Sequence, residues 1–198
     1  GGRVNLGAYG NTSEAALSVS DQLVQLLFPN GNENFDEGEE VLIAWLSTGL
    51  TETRTVALIN TGGGTIDGGD AGAWLYDTYR NGSYSSSSIS TAVNTAGVLN
   101  PAPEAVYQQY AYASSGIGNS LSYHLPVPDG DYAIRLHFAE PSATAAGSRV
   151  FDIVLQGATV LGDYSIFADA GGRYIAAAKS FSVNAADGSG IDLALVNK

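Results

Sequence analysis

Residues 130–139 place Tyr132, Ile134, Leu136 and Phe138 on one parity and Ala133, Arg135 and His137 on the other. Strict alternation of this kind suits a strand with two unlike faces, because helical faces repeat every three to four residues. Phe151, Ile153 and Leu155 repeat the pattern, and shorter apolar stretches at 41–45, 55–59, 120–125, 181–183 and 191–196 read as further strands. Between them stand Pro29-Asn30-Gly31, Pro128-Asp129-Gly130 and Ala186-Asp187-Gly188, each a turn signal. Short strands separated by frequent turns bury their apolar faces as a sandwich or a barrel. Helix is expected only at 15–20 and 174–179, and the serine run 85–88 reads as a flexible loop inside the domain.

Composition removes several function classes. With 20 Asp+Glu against 8 Lys+Arg, the formal charge of −12 opposes binding to a phosphate backbone, so no nucleic-acid partner is expected. There is no cysteine, which excludes disulfides, thiolate metal sites and a catalytic thiol. No apolar run approaches the roughly 20 residues of a membrane helix. The hydrophobic share of 44% supports a folded core, and 25 glycines with only 14% charged residues suit an exported β-protein.

No Gly-x-Ser-x-Gly elbow and no His-Glu-x-x-His helix occurs. Of the two histidines, His137 sits opposite the main apolar row and reads as packed or surface rather than catalytic. Gly62-Gly63-Gly64 follows a strand but lacks the Gly-Lys-Ser/Thr ending of a phosphate loop. Asp67 and Asp70 share a glycine-rich turn, where two carboxylates can offer oxygen ligands to calcium. The alternative is a tight turn closed by aspartate side chains on local amides; no other cofactor is indicated. The eleven tyrosines concentrate at Tyr76, Tyr79, Tyr84, Tyr107, Tyr110 and Tyr112. A tyrosine ring can stack on a sugar face while its hydroxyl bonds a sugar hydroxyl, although tyrosine is also simply a good strand residue.

Ile59-Asn60-Thr61-Gly62-Gly63, then Asp67-Gly68-Gly69-Asp70 and Trp74, resembles the opening of malectin and malectin-like carbohydrate-binding domains. Val106-Tyr107-Gln108 with Tyr112, Pro128-Asp129-Gly130-Asp131-Tyr132 and Leu136-His137-Phe138-Ala139-Glu140 follow in the family's order. So do Arg149-Val150-Phe151-Asp152-Ile153, Asp163-Tyr164 and Ala170-Gly171-Gly172, extending the likeness over residues 56–198. The resemblance implies an all-β, jelly-roll-type sandwich, galactose-binding-like, with ligand loops at one end and a short N-terminal β appendage. It places sugar recognition at Tyr84 and Tyr112; beside them Tyr79, Tyr110 or the Asp67/Asp70 turn are expected to add hydrogen bonds. The family's aromatic pair after Phe-Ala-Glu is replaced here by Pro141 and Ser142, and its aspartate near the C-terminus has no counterpart.

Residues 1–21 resemble the end of a bacterial right-handed parallel β-helix, and 22–55 resemble the start of a bacterial Ig-like domain, read as a β connector. The malectin-like sandwich is expected to lack its last strand after Val196 and so to expose a sheet edge. The expected function is a non-catalytic carbohydrate-binding module of a larger secreted or surface bacterial protein, with an oligo- or polysaccharide partner and no membrane insertion. The alternative is a structural or adhesive block of an extracellular fibre, associating through exposed sheet edges.

Overall fold

The computed structural model describes residues 3–4, 17–18, 23–29, 31, 33–48, 54–82 and 84–198. The chain divides into two compact units, Gly1–Thr55 and Val56–Lys198. In the first, β1 (Arg3–Val4) pairs antiparallel with β2 (Leu17–Ser18). Leu17–Ser18 is strand where a helix is expected at 15–20, and its antiparallel pairing is not that of the expected parallel β-helix ending; the other residues of both expectations lie outside the described residues. Strands β3 (Leu23–Phe28) and β4 (Ala44–Thr48) form an antiparallel pair around the acidic loop. That loop closes on itself where the Asp36 amide donates to Glu39 Oε2 at 3.1 Å.

The second unit is built on a five-stranded antiparallel sheet. Its order is β11 (Ala158–Tyr164), β10 (Phe151–Leu155), β13 (Ile191–Asn197), β8 (Ser120–Leu125) and β5 (Arg80–Asn81). Facing it, β9 (Gly130–Ala139) and β12 (Ala176–Ala185) pair in register over ten residues. A ribbon of β6 (Ser85–Ser88) and β7 (Gln109–Tyr112) packs against the same core through Tyr84, Ala111 and Ala113. The β10–β11 hairpin turns on Gln156 and Gly157, both at positive φ (49° and 76°), the conformation that matches strand twist across a two-residue loop.

The alternation at 130–139 does what its period demands. Tyr132, Ile134, Leu136 and Phe138 face Leu121, Tyr123, Ile153, Leu155, Ile191 and Leu193 across the sandwich, and Ile153 is fully buried. Phe138 lies 5.9 Å from Phe151 and 5.3 Å from Tyr164, ring centre to ring centre. The opposite face of β9 and β12 is covered only toward its His137 end, while Ala133, Arg135, Ser180 and Ser182 are exposed. Trp74, Val93, Ala102, Val106, Tyr107 and Ala176 form a second core there. His137 sits against that core, edge-on to Trp74 at 5.5 Å and to Tyr107 at 5.7 Å.

Further expectations change, the first being that residues 55–59 form no strand, with Ile59 making only an isolated bridge to Leu75. Residues 174–179 run into strand β12 rather than a helix, because pairing along β9 outweighs the helix preference of three alanines. Serines 85–88 are a strand, held by register with Tyr112, Ala111, Tyr110 and Gln109. The helical turns are instead α1 (Glu104–Tyr107) and α2 (Ile166–Ala170). The terminal strand β13 is the middle of its sheet, whose edges are β11 and β5.

Candidate functional site

The β6–β7 ribbon sorts its side chains by parity. Tyr110 and Tyr112 lie on one face, opposite Ser87 and Ser85 in register. Their rings are 6.0 Å apart and tilted by 36°, and Tyr112 is 43% exposed. Tyr84, one residue before Ser85, packs on the other side against the first core. Its ring is capped by the Arg80 guanidinium at 3.2 Å, a cation–π contact. The expected joint platform of Tyr84 and Tyr112 is therefore not formed, because consecutive strand parities point to opposite faces. The structure brings Tyr110 together with Tyr112 and makes Tyr84 a buttress beneath them.

Tyr79 is 41% exposed and sits at positive φ (62°) beside edge strand β5, where its carbonyl accepts the His124 amide at 2.7 Å. It belongs to the margin of the five-stranded sheet rather than to the ribbon. Tyr107, by contrast, is buried, with its hydroxyl 2.8 Å from His137 Nδ1. Burial pushes the His137 imidazole down to about 4, with Arg135 adding to the effect.

A polar network fixes the ribbon from behind. Gly62 packs so closely that a Cβ there would stand 2.4 Å from the Tyr110 carbonyl carbon. Its amide donates to Asp77 Oδ2 at 2.9 Å, and Asp77 also accepts from Arg80 and from the Tyr123 hydroxyl. Burial first, and then the Asp77 charge, push the Tyr123 phenol well above its ordinary range. The fully buried Asn60 donates to the Gly64 carbonyl at 2.7 Å and to Gln109 Oε1 at 3.0 Å. Thus the glycine run is a scaffold for the tyrosine strand.

The Asp67/Asp70 turn has the local form. Asp67 Oδ1 accepts the Gly69 amide at 3.0 Å, and Asp70 lies in the 3₁₀ turn Gly69–Ala71. Among the described residues no group of three or more His, Cys, Asp or Glu is placed to hold a metal ion. The donor set fits an aspartate-closed turn better than a calcium cage, which takes six or more oxygens.

Two features had no signal in the spacing of the sequence. One is Glu140, fully buried at the end of β9 and facing Arg149 across a loop of small residues. The other is a cleft of about 350 Å³ bordered by Val98, Leu99, Arg135, Asp169, Ile175 and Lys179. In it Lys179 pairs with Asp169 at 2.6 Å, and Arg135 donates to the Leu99 carbonyl. The cleft depends on residues far apart in the chain, and the Glu140–Arg149 pairing on the fold enclosing the carboxylate, so neither shows in the spacing.

Two facing β layers with a tyrosine-bearing ribbon packed against their core define an all-β sandwich domain. The Malectin domain family matches residues 55–190, and the chain belongs to that family. Receptor-like protein 4 of Arabidopsis thaliana is 44% identical over 77 residues, which is 37% of this chain and 12% of that protein. A chain in the crystal structure of the plant peptide RALF23 in complex with FER and LLG2 superposes with a TM-score of 0.61 at 24% identity. The match covers 71% of this chain and 42% of that one. The ANXUR1 extracellular domain from Arabidopsis thaliana gives 0.60 at 23% identity, covering 70% and 41%. The present chain thus spans less than half of these solved chains, and the likeness establishes the all-β sandwich. Among the described residues no helix is long and apolar enough to cross a membrane.

Proposed function

We propose that this chain is a non-catalytic carbohydrate-binding module of a larger secreted or surface-attached protein. The observation that carries the reading is the Tyr110–Tyr112 pair, half-buried at Tyr110 and exposed at Tyr112, flanked on its own face by Ser85 and Ser87. Tilted tyrosine rings offer stacking faces for pyranose C–H surfaces, and phenol and serine hydroxyls bond sugar hydroxyls at the rim. Tyr79 adds a hydroxyl from the neighbouring sheet margin, and Tyr84 acts by supporting the ribbon. A bacterial source is supported by the resemblance of residues 1–21 to bacterial β-helix ends, and an extracellular location by the plant ectodomains that share the fold.

The test is calorimetry or a glycan array with the wild type, Tyr112→Ala and the double variant Tyr110→Ala/Tyr112→Ala. Losing one stacking ring is expected to weaken binding about tenfold, and losing both should bring it to background. The reading fails if no saccharide is bound or if the double variant binds like the wild type. A structural or adhesive role is the second reading, favoured by the core-facing Tyr84 and by the open edges at β11 and β5. Concentration-dependent assembly in light scattering, without saccharide binding, would select it.

A further inference from the structure

The loop 141–149 follows strand β9 and contains Pro, Ser, Ala, Thr and Gly until it reaches Arg149. Arg149 is the only side chain in it long enough to reach beyond the loop's own backbone. Before the loop lies Glu140, whose carboxylate is completely enclosed. Oε1 accepts the Ser142 and Ala143 amides, both at 2.8 Å, and the Ser142 hydroxyl at 3.3 Å. Oε2 has no hydrogen bond and faces Arg149 Nη1 at 3.3 Å. Arg149 Nη2 in turn donates to Ser142 Oγ at 3.1 Å.

An enclosed carboxylate is costly unless a cation and hydrogen bonds compensate it. Here the acid is sealed while the guanidinium side chain remains 42% exposed. Two of its nitrogens are anchored inward, so the planar fork is held in one orientation and presents its remaining N–H groups to solvent.

Hydrogen bonds through the C-terminal residues link the end of this loop to the segment that follows the tyrosine ribbon. Next to Arg149, the Val150 carbonyl accepts the Lys198 amide at 3.1 Å. Adjacent Asn197 donates from Nδ2 to the carbonyl of Ser114 at 3.0 Å and accepts the Gly118 amide at 2.9 Å. Ser114 lies two residues beyond Tyr112. The Glu140–Arg149 pair is neutral as a unit, and the chain around it carries −12. A fixed donor fork without net positive charge, in an acidic protein, suits vicinal hydroxyls better than an anion.

We infer that Arg149 is a specificity-determining donor of the saccharide site, positioned by buried Glu140, and that it selects neutral sugars over uronates. The inference rests on the carbohydrate reading and deepens it. The experiment uses the full chain on an array of neutral gluco-, galacto- and manno-oligosaccharides with their uronate counterparts. Arg149→Lys keeps a cation opposite Glu140 but removes the fork, and it is expected to bind neutral sugars about tenfold more weakly at an unchanged unfolding midpoint. Titrating the wild type with the best neutral sugar should move the Arg149 Nε–Hε resonance, a readout that needs no variant. A wild-type preference for uronates, an unmoved resonance, or a folded Arg149→Lys protein with wild-type affinity overturns the assignment. If Tyr110→Ala/Tyr112→Ala abolishes binding while Arg149→Lys does not, only the Arg149 role falls. If the wild type retains no saccharide, both readings fall.

Discussion

Acid should weaken this fold through His137, and the size of the effect follows from where the imidazole sits. It is wedged edge-on between Trp74 and Tyr107, with Nδ1 2.8 Å from the Tyr107 hydroxyl. Burial, assisted by Arg135, lowers its pKa from 6.5 to about 4. The unfolded chain therefore takes up a proton below pH 6.5 that the folded chain refuses until about pH 4. Stability is unaffected above pH 6.5 and falls as pH drops through this window, by about 3 kcal/mol at pH 4. For a domain of this size that corresponds to roughly 10 °C in unfolding midpoint. The assay compares wild type and His137→Gln by thermal unfolding between pH 7 and pH 4. The variant starts lower, because its packing is poorer, but should lose less on acidification. Asp152 contributes acid sensitivity to both proteins alike, since its carboxyl is held below the usual range by the Asp163 amide and then by Lys198. Parallel pH profiles, or an NMR titration placing His137 near 6.5, would refute the reasoning.

Gly62→Ala should lower stability by about 2–4 kcal/mol, because φ is +81° and the new Cβ would press on the Tyr110 carbonyl. Gly64→Ala, with nothing within 4 Å of its Cβ, should stay within about 0.5 kcal/mol in the same denaturant titration. Asp77→Ala leaves the Tyr123 hydroxyl, the Arg80 guanidinium and the Gly62 amide without their acceptor, and should cost about 3 kcal/mol in chemical unfolding.

Local chemistry alone determined a good part of this protein. The parity of Tyr132, Ile134, Leu136 and Phe138 specifies a strand whatever surrounds it, and the family motifs place that strand within a malectin-type sandwich. The matched residues 55–190 bear this out. Where local preference was weak or misleading, partners decided. Residues 174–179 contain three helix-favouring alanines, yet they lie along β9 because ten ladder positions outweigh a few tenths of a kcal/mol per residue. Four serines carry no apolar period, and they became a strand only through β7.

The candidate site shows the same division. Tyrosine abundance is legible along the chain, but which rings share a face follows from the β6–β7 register, and that register separates Tyr84 from Tyr112. Glu140 and Arg149 are nine residues apart, a spacing that signals nothing. Their pairing exists because the sandwich closes over the carboxylate and leaves it one cation to face. Period and composition are properties of neighbouring residues and can be read along the chain. Burial, charge pairing and the common face of two rings are properties of elements brought together, and only the packed structure supplies them.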